Sequence, residues 1–203
     1  MATPLYIALE GLEGCGKSTH AKRLGDTLNA VITREPGATN IGAMLRAILA
    51  DPENTDMHAR TEALLMAADR AQHMEQVIRP ALTAGTHVVS DRSIYSTLAY
   101  QGYGRGLDVD ELRRISTWAL DGHLPDIVIF ISVPTDVLNE RLAKRDLDRF
   151  EREGAEFFAR IQYGFYELIA SDPERWIVID GTMPKDDVEA AIREQVFARI
   201  ESK

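Results

Sequence analysis

The chain has 203 residues, 45% of them apolar and 27% charged, and its formal net charge is −9 at neutral pH. This length and composition suit one α/β domain with a substantial core and room for a small mobile insertion. The negative net charge argues against a nucleic-acid polymer as partner, because proteins that bind polyanions usually carry an excess of basic residues. Free nucleotides are a better match for an acidic protein.

Short apolar runs alternate with longer amphipathic stretches along the chain. Five β-branched runs predict strands, at Leu5–Leu9, Ala30–Thr33, His87–Ser90, Ile127–Val133 and Trp176–Ile179. Helical patterns occur at Lys17–Leu28, Ile41–Leu49, Arg60–Thr83, Asp108–Asp121, Thr135–Arg145, Glu153–Ser171 and Lys185–Ile200. The strands are nearly continuous in apolar residues, which is typical of a parallel sheet buried on both faces. The alternation predicts a doubly wound α/β fold with a five-stranded parallel sheet, whose ligands bind at the carboxyl ends of the strands.

The loop after the first predicted strand matches the phosphate-binding pattern G-x-x-x-x-G-K-[ST] in full, between a strand and a helix as the motif requires. Its glycines let consecutive backbone N–H groups wrap an anion, and the helix N-terminus adds partial positive charge. We expect Lys17 to reach the β- and γ-phosphates of ATP and Ser18 to hold Mg²⁺. The residues predicted to contact ATP are Gly11, Leu12, Glu13, Gly14, Cys15, Gly16, Lys17, Ser18 and Thr19.

Further polar motifs follow the next two predicted strands and recur late in the chain. They read Thr33-Arg34-Glu35-Pro36-Gly37, Asp91-Arg92-Ser93, Ala99-Tyr100-Gln101-Gly102 and Leu147-Asp148-Arg149-Phe150-Glu151. With Glu10-Gly11-Leu12-Glu13-Gly14 at the front, this set resembles bacterial thymidylate kinase over nearly the whole chain. The resemblance implies one P-loop kinase domain over residues 1–203, with a mobile lid at about 140–152. It also implies transfer of phosphate from ATP to dTMP with Mg²⁺, giving dTDP for dTTP synthesis.

The resemblance assigns roles around the transferred phosphate. Glu13 is electrostatically odd in a phosphate loop, and the family uses such an acid to accept a hydrogen bond from the deoxyribose 3′-hydroxyl. Arg34 and Arg92 are expected to bind the acceptor phosphate, and Arg92 also to bridge it to the donor. Asp91 is expected to face Mg²⁺ or its waters and to help orient the acceptor. The alternatives are a solvated loop glutamate for Glu13, a surface arginine beside a Pro-Gly turn for Arg34, and a structural ion pair at a strand end for Asp91 and Arg92.

Base recognition is likewise implied by the resemblance. Arg70 is expected to hydrogen-bond the thymine edge, with Asp69 helping to hold it in place. Met66 stands where the family commonly has a phenylalanine that stacks on thymine, so the base contact here is softer. Thr97 and Tyr100 lie one helical turn apart and are expected to face the base and C2′ of the sugar. The alternative for Arg70 is an exposed helix ion pair, and that for Tyr100 is core packing. Gln101 is also expected near the base.

A basic cluster precedes the last of these motifs. Arg141, Lys144 and Arg145 share one face of a predicted helix, and Arg149 follows. In the bacterial branch of the family a lid supplies the arginine that the phosphate loop lacks, and no arginine occurs in this loop. We expect Arg145, and after it Arg149, to meet charge on the transferring phosphoryl group, with Arg141 contacting ATP. A solvated basic helix face is the alternative.

Location and assembly follow from simpler features. The single cysteine, Cys15, excludes an internal disulfide and favours a reduced, cytoplasmic location. No apolar run of about 18 residues occurs, so no membrane span is expected. The resemblance implies a homodimer, with the Arg60–Thr83 helix as a plausible interface. Two rival functions remain, a kinase for another nucleotide and a non-catalytic P-loop switch, although the absence of an Asn-Lys pair weighs against a guanine-nucleotide switch.

Overall fold

A single parallel sheet organises the protein. The structure is a computed structural model that describes residues 3–142 and 148–201. Five strands form the sheet: β1 Tyr6–Glu10, β2 Val31–Arg34, β3 Val88–Asp91, β4 Ile127–Ser132 and β5 Trp176–Asp180. They pair in the order β2-β3-β1-β4-β5, and every pairing is parallel. The predicted doubly wound α/β class is therefore confirmed.

Helices connect and flank the strands. They are α1 Lys17–Leu28, α2 Asn40–Ala50, α3 Ala59–His73, α4 Arg79–Thr83, α5 Ile94–Thr97, α6 Val109–Ala119, α7 Thr135–Leu142, α8 Ala155–Ser171 and α9 Lys185–Glu201. Two π-helical turns, Met74–Ile78 and Leu98–Gly104, continue α3 into α4 and extend α5. None of the helices in the described ranges is long and apolar enough to cross a membrane.

The helix predictions differ from the structure in two places, and in a third they are untested. The predicted helix Arg60–Thr83 is one continuous helical stretch, but the π turn at Met74–Ile78 interrupts its α geometry. The helical segment 94–104 was absent from the predicted helices, since its first piece is only four residues long and its second is a π turn. The end of the predicted helix Thr135–Arg145 lies outside the described residues.

The sheet is the centre of the core. Every residue of β1 is buried, as are Ile127 to Ile131 of β4, because helices cover both faces of the sheet. On one side α8 packs against the π turn that follows α5. Gly164 permits this approach, since a Cβ there would lie 2.5 Å from the ring of Tyr103. The packing fixes the Leu98–Gly104 segment, which borders the site.

The strand register brings the sequence motifs to one edge. Leu9 of β1 and Arg34 of β2 both pair with Asp91 of β3, so the three strands end at the same level. The phosphate loop leaves β1 here, and the Arg34–Gly37 turn and the Asp91–Ser93 turn leave the neighbouring strands. The predicted clustering at the carboxyl ends is therefore observed.

Candidate active site

The phosphate loop takes a conformation that depends on glycine. Gly11, Gly14 and Gly16 have φ values of 148°, 80° and 94°, which side chains rarely tolerate. At Gly11 space is also lacking, since a Cβ would lie 2.7 Å from Cys15 Sγ and 2.9 Å from the Ile131 carbonyl oxygen. Helix α1 begins directly after the loop at Lys17. The loop therefore presents backbone N–H groups and a helix N-terminus to one point, as phosphate binding requires.

Three charged side chains meet beside this loop. Glu13 Oε2 lies 3.2 Å from Lys17 Nζ, and Glu13 Oε1 accepts a hydrogen bond from Arg92 Nη2. Burial raises the pKa of Glu13, but the charges of Lys17 and Arg92 outweigh it and hold the pKa well below its usual range. Burial and the charge of Arg92 lower the pKa of Lys17, but Glu13, Cys15 and Asp91 together raise it above its usual value. All three groups are therefore charged at neutral pH, with one carboxylate between two cations.

Arg92 is held in place by a strained backbone. Its φ of 77° is left-handed, a conformation uncommon for a residue with a long side chain. The Arg92 N–H donates to the Leu9 carbonyl at 2.9 Å, and Ser90 Oγ donates to the Arg92 carbonyl at 2.7 Å. Its guanidinium donates to Ser96 Oγ at 2.8 Å and lies 5.0 Å from the centroid of the Tyr100 ring. The backbone thus aims the guanidinium at Glu13 and the phosphate loop.

A buried carboxylate supports this turn and was not among the predicted site residues. Glu10 at the end of β1 accepts hydrogen bonds from Ser93 N and Ser93 Oγ, both at 2.8 Å, and from Ser96 Oγ at 2.6 Å. Burial raises the pKa of Glu10. These hydrogen bonds fix the segment after β3 against β1. Glu10 therefore positions Arg92 indirectly, through the turn that carries it.

Ser18 and Asp91 form the candidate metal site. Ser18 Oγ donates to Asp91 Oδ2 at 2.5 Å, and Asp91 Oδ1 is buried with no hydrogen-bond partner among the described residues. A hydroxyl and a carboxylate with a spare oxygen suit a hard cation such as Mg²⁺, which takes oxygen ligands and is usually held by one or two protein groups plus phosphates. In ranges 3–142 and 148–201 no group of three or more His, Cys, Asp or Glu could hold a metal by itself. The residues therefore fit Mg²⁺ bound together with a nucleotide.

A solvent-open cavity lies next to Glu13 and Arg92, and its empty space, part of it open solvent, is about 590 Å³. Its lining includes seven of the eight predicted substrate residues, which are Glu13, Met66, Arg70, Arg92, Thr97, Tyr100 and Gln101. The eighth, Arg34, is exposed at the end of β2 and is not part of this lining. Glu35, Ser96, Asp148 and Phe150 also line the cavity without having been predicted to contact substrate. Glu35, Asp148 and Phe150 belong to the sequence motifs that carry the family resemblance, and these motifs could have identified them.

Arg70 is fully buried, so the alternative of an exposed helix ion pair is wrong. Its Nε lies 2.9 Å from Glu35 Oε2, and its Nη2 donates to Thr97 Oγ1 at 2.9 Å. Burial alone would raise the pKa of Glu35, but Arg70 and His73 have the larger effect and bring it below its usual value. Glu35 and Arg70 therefore form an ion pair. Glu35, rather than Asp69, holds Arg70. Asp69 Oδ1 instead accepts a hydrogen bond from Gly37 N at 3.0 Å and fixes the turn after β2.

Gln101 and Tyr100 face the cavity from the π turn. Gln101 Nε2 donates to Glu62 Oε1 at 2.7 Å, which turns the amide so that its buried Oε1 is left without a partner among the described residues. Tyr100 is buried, accepts from Arg92 Nη2 at 3.2 Å, and contacts Phe150 and Phe157 edge-on at 6.2 and 6.3 Å. Tyr100 therefore packs in the core and also lines the cavity, and its contact with C2′ of a sugar stays a prediction.

The basic cluster is described only in part. Arg141 Nη1 donates to the Gly14 carbonyl at 3.2 Å and Nη2 to the Gly181 carbonyl at 3.3 Å, so the end of α7 reaches the phosphate loop. Lys144 and Arg145 lie outside the described residues. Arg149 Nη1 lies 2.7 Å from Glu62 Oε2 and its Nε donates to the Leu49 carbonyl at 2.8 Å. Its guanidinium is thus placed beside the cavity rather than on the phosphate loop.

Cys15 is a packing residue in this loop. Its side chain is buried beneath Gly11, and burial raises the pKa of the thiol. A protonated buried thiol is a poor nucleophile. A contact of Cys15 with ATP through its backbone N–H stays a prediction.

Comparison with known proteins gives consistent matches. The family model described as "Thymidylate kinase" matches residues 9–192. A thymidylate kinase of Desulfovibrio desulfuricans is 41% identical over 209 residues, covering 97% of this chain and 96% of the relative. That of Cupriavidus metallidurans is 43% identical over 194 residues, covering 93% and 96%. The crystal structure of thymidylate kinase from Ehrlichia chaffeensis superimposes with a TM-score of 0.79 at 29% identity, over 95% of this chain and 98% of that one.

Proposed function

The chain belongs to the thymidylate kinase family, and from this premise we propose that it transfers the γ-phosphoryl group of ATP to dTMP, giving dTDP and ADP. The observation that carries the proposal is the continuity of the cavity with the phosphate loop. Glu13 and Arg92 lie at the loop and line the cavity, which extends to Arg70 and Gln101. A nucleoside monophosphate lying along this cavity would have its phosphate at Arg92 and its base at Arg70.

The far end of the cavity offers groups that complement thymine. The unpartnered Gln101 Oε1 is an acceptor suited to the N3–H of the base. Arg70 Nη1 donates one hydrogen bond to Ser116 Oγ at 3.4 Å, and its second N–H suits a ring carbonyl. A buried amide oxygen without a partner is costly, so a ligand that donates to it gains affinity. Met66 borders the cavity and supplies an adaptable apolar surface for the ring. Tyr100 blocks space beside the sugar, which favours deoxyribose.

The chemistry needs positioning and positive charge more than a base, because the acceptor phosphate is already anionic near neutral pH. Lys17 holds the donor phosphates, and Arg92 lies between them and the acceptor phosphate. Arg34 is proposed to contact the acceptor phosphate from the exposed end of β2. Ser18 and Asp91 would hold Mg²⁺, which would supply further positive charge to the donor phosphates. Backbone N–H groups of the loop complete the cradle.

The lid is the remaining part of this proposal. We place it at about 140–152 within one kinase domain over 1–203, with Arg141 over the phosphate loop and Arg145 as the preferred transfer cation. The contact of Arg141 with the Gly14 carbonyl supports a lid that reaches the donor site from α7. Closure would also keep water from the γ-phosphoryl group.

A homodimer and a cytoplasmic location also belong to the proposal. Large apolar side chains are exposed on α2, α3 and α6, among them Met44 (62% exposed), Leu64 (58%) and Trp118 (83%). Leu64 lies on the predicted interface helix, and α3 packs against α6. An apolar surface of this kind is typical of subunit contact. The free thiol of Cys15 supports a reducing compartment.

A coupled ADP-release assay with ATP, Mg²⁺ and a panel of monophosphate acceptors tests the proposed function. We expect dTMP to give the highest kcat/KM, well above dUMP, dCMP, AMP, GMP and UMP. Preference for another monophosphate would support a kinase for that nucleotide. No transfer to any of them, together with a nucleotide-dependent change in conformation, would support the switch.

A further inference from the structure

A fully buried carboxylate outside the catalytic groups connects several elements. Glu62 lies on α3 with 0% of its surface exposed. Its Oε2 is 2.7 Å from Arg149 Nη1 and 3.2 Å from Arg105 Nη2, and its Oε1 accepts from Gln101 Nε2 at 2.7 Å. Burying a charge is costly unless it is paired and hydrogen-bonded, and here both conditions are met. The arrangement therefore requires specific partners at this point in the fold.

Arg149 carries one wall of the acceptor cavity. Its neighbours Asp148 and Phe150 both line the cavity, and its guanidinium lies 4.5 Å from the centroid of the Phe150 ring. Its Nε bonds the Leu49 carbonyl at 2.8 Å and its backbone N bonds the Ala50 carbonyl at 3.2 Å. The segment Asp148–Phe150, called here the lid-side wall, is thereby attached to the end of α2 and, through Glu62, to α3.

The same carboxylate sets the opposite side of the cavity. Gln101 lines the cavity from the π turn, and Glu62 fixes its amide so that the oxygen is free for a ligand. Met66, one helical turn after Glu62 on α3, lines the cavity too. Glu62 therefore contacts both a base-facing side chain and the residue that carries the lid-side wall, without itself lining the cavity.

We propose that Glu62 is a positioning residue that shapes the acceptor pocket through Gln101 and the Glu62–Arg149 ion pair. This rests on the proposed function, since it takes the cavity as the monophosphate site. Arg149 then acts on acceptor affinity by holding Asp148 and Phe150, rather than by meeting charge on the transferring phosphoryl group. Charge is balanced locally, because Arg105 also pairs with Glu153 and the network holds two carboxylates and two guanidiniums.

Kinetic constants for both substrates test this in Glu62→Gln, Arg149→Met and Arg149→Lys. We expect Arg149→Met to raise the KM for dTMP about tenfold, the order of a lost charge-assisted hydrogen bond. kcat and the KM for ATP should change less than about threefold. Glu62→Gln should raise the KM for dTMP in the same way, and Arg149→Lys should restore part of the affinity. In the double variant Glu62→Gln/Arg149→Met, the KM for dTMP should rise by less than the two single effects combined, because both changes remove the same interaction.

Arg105→Met is the matched control. It removes a guanidinium from the same carboxylate, but Arg105 does not line the cavity or carry its wall. Its KM for dTMP should stay within about threefold of the intact protein while thermal stability falls as in the other variants. Protection by dTMP, read as the rise in Tm on adding it, gives a second measure of affinity. If Glu62→Gln does not fold, the Arg149 pair still tests the proposal, since Glu62 keeps Arg105.

Two results would overturn the inference while leaving the proposed function intact. One is a large loss of kcat in Arg149→Met, about 10³-fold, with an unchanged KM for dTMP, which would make Arg149 the transfer cation. The other is an unchanged KM in both Glu62→Gln and Arg149→Met. If the intact protein does not phosphorylate dTMP at all, the proposed function fails first and the inference falls with it.

Discussion

Single side chains in this site both pack in the core and line the cavity. Tyr100 packs edge-on against Phe150 and Phe157 and also accepts a hydrogen bond from Arg92. Arg70 is likewise buried in an ion pair with Glu35 while lining the cavity. Substitution at such positions alters stability and recognition together, so variants must be chosen to separate the two.

Tyr100 is expected to exclude a ribose from the acceptor site. The intact protein should use dTMP far better than its ribonucleotide analogue, as judged by kcat/KM. Tyr100→Ala should narrow that ratio by about tenfold or more and destabilise the fold by about 3–5 kcal/mol. Tyr100→Phe keeps the ring and should keep the discrimination, so it controls for the lost hydroxyl. Equal use of both sugars by the intact protein would contradict this role.

Asp69 is expected to make stability depend on pH. Burial, and then the charge of Glu35, raises its pKa to about 6 from an ordinary value near 3.8. Between these values the folded protein keeps a proton that the unfolded chain gives up, so the Asp69 contribution to stability falls as pH rises from about 4 to about 6 and stays low above it. Asp69→Asn keeps an acceptor for Gly37 N and cannot ionise. The free energy of unfolding of Asp69→Asn should therefore exceed that of the intact protein by roughly 1–3 kcal/mol between pH 4 and pH 8.

Urea denaturation across this pH range measures the Asp69 effect. Asp56→Asn serves as the control, because Asp56 is an exposed loop residue. A constant difference between Asp69→Asn and the intact protein from pH 4 to pH 8 would show that Asp69 does not titrate in this window.

At the scale of elements, the sequence predicted the structures that depend on residues close together in the chain. The glycines of residues 11–16 and the strand before them predicted the phosphate loop, and apolar runs located all five strands within a residue or so of their ends. The helical segment 94–104 was missed because a π turn lacks the 3.6-residue period. The partner of Arg70 could not be read from the sequence, since Glu35 is 35 residues away and the adjacent Asp69 was the obvious candidate. Glu62 was missed for the same reason, since its partners come from distant elements.

The end of α7 and the residues after it are expected to supply the transfer cation. Arg145→Ala should lower kcat and kcat/KM together by about 10³-fold, because the contact forms mainly in the transition state. Arg141→Ala should chiefly raise the KM for ATP, since Arg141 lies on the Gly14 carbonyl of the phosphate loop. Arg114→Ala is the arginine control, because the Arg114 side chain on α6 is exposed. Near-normal kcat in Arg141→Ala, Lys144→Ala, Arg145→Ala and Arg149→Ala alike would leave the transition-state charge to Arg92 and Mg²⁺.

At the scale of the whole molecule, exposed apolar surface predicts self-association. Trp118 is the most exposed large apolar side chain of the described residues. Ile115, one turn before it on α6, and Leu64 on α3 are exposed too. Trp118→Glu should weaken the dimer by about 30-fold or more in Kd, since buried tryptophans often dominate interfaces. Sedimentation velocity over a range of protein concentrations measures this. Phe197→Glu on α9 is the control, and an intact protein that stays monomeric at every concentration would refute the dimer.

The carboxylate of Glu13 between Lys17 and Arg92 also bears on how the enzyme responds to salt. It acts as a built-in counterion for the two cations while no nucleotide is bound, so small anions from solution gain little by occupying the loop. An incoming phosphate then displaces Glu13 from its cations rather than a condensed layer of chloride. Nucleotide affinity should consequently depend on ionic strength less steeply than two exposed cations would imply. The protein would thus bind nucleotides similarly in cells whose internal salt varies.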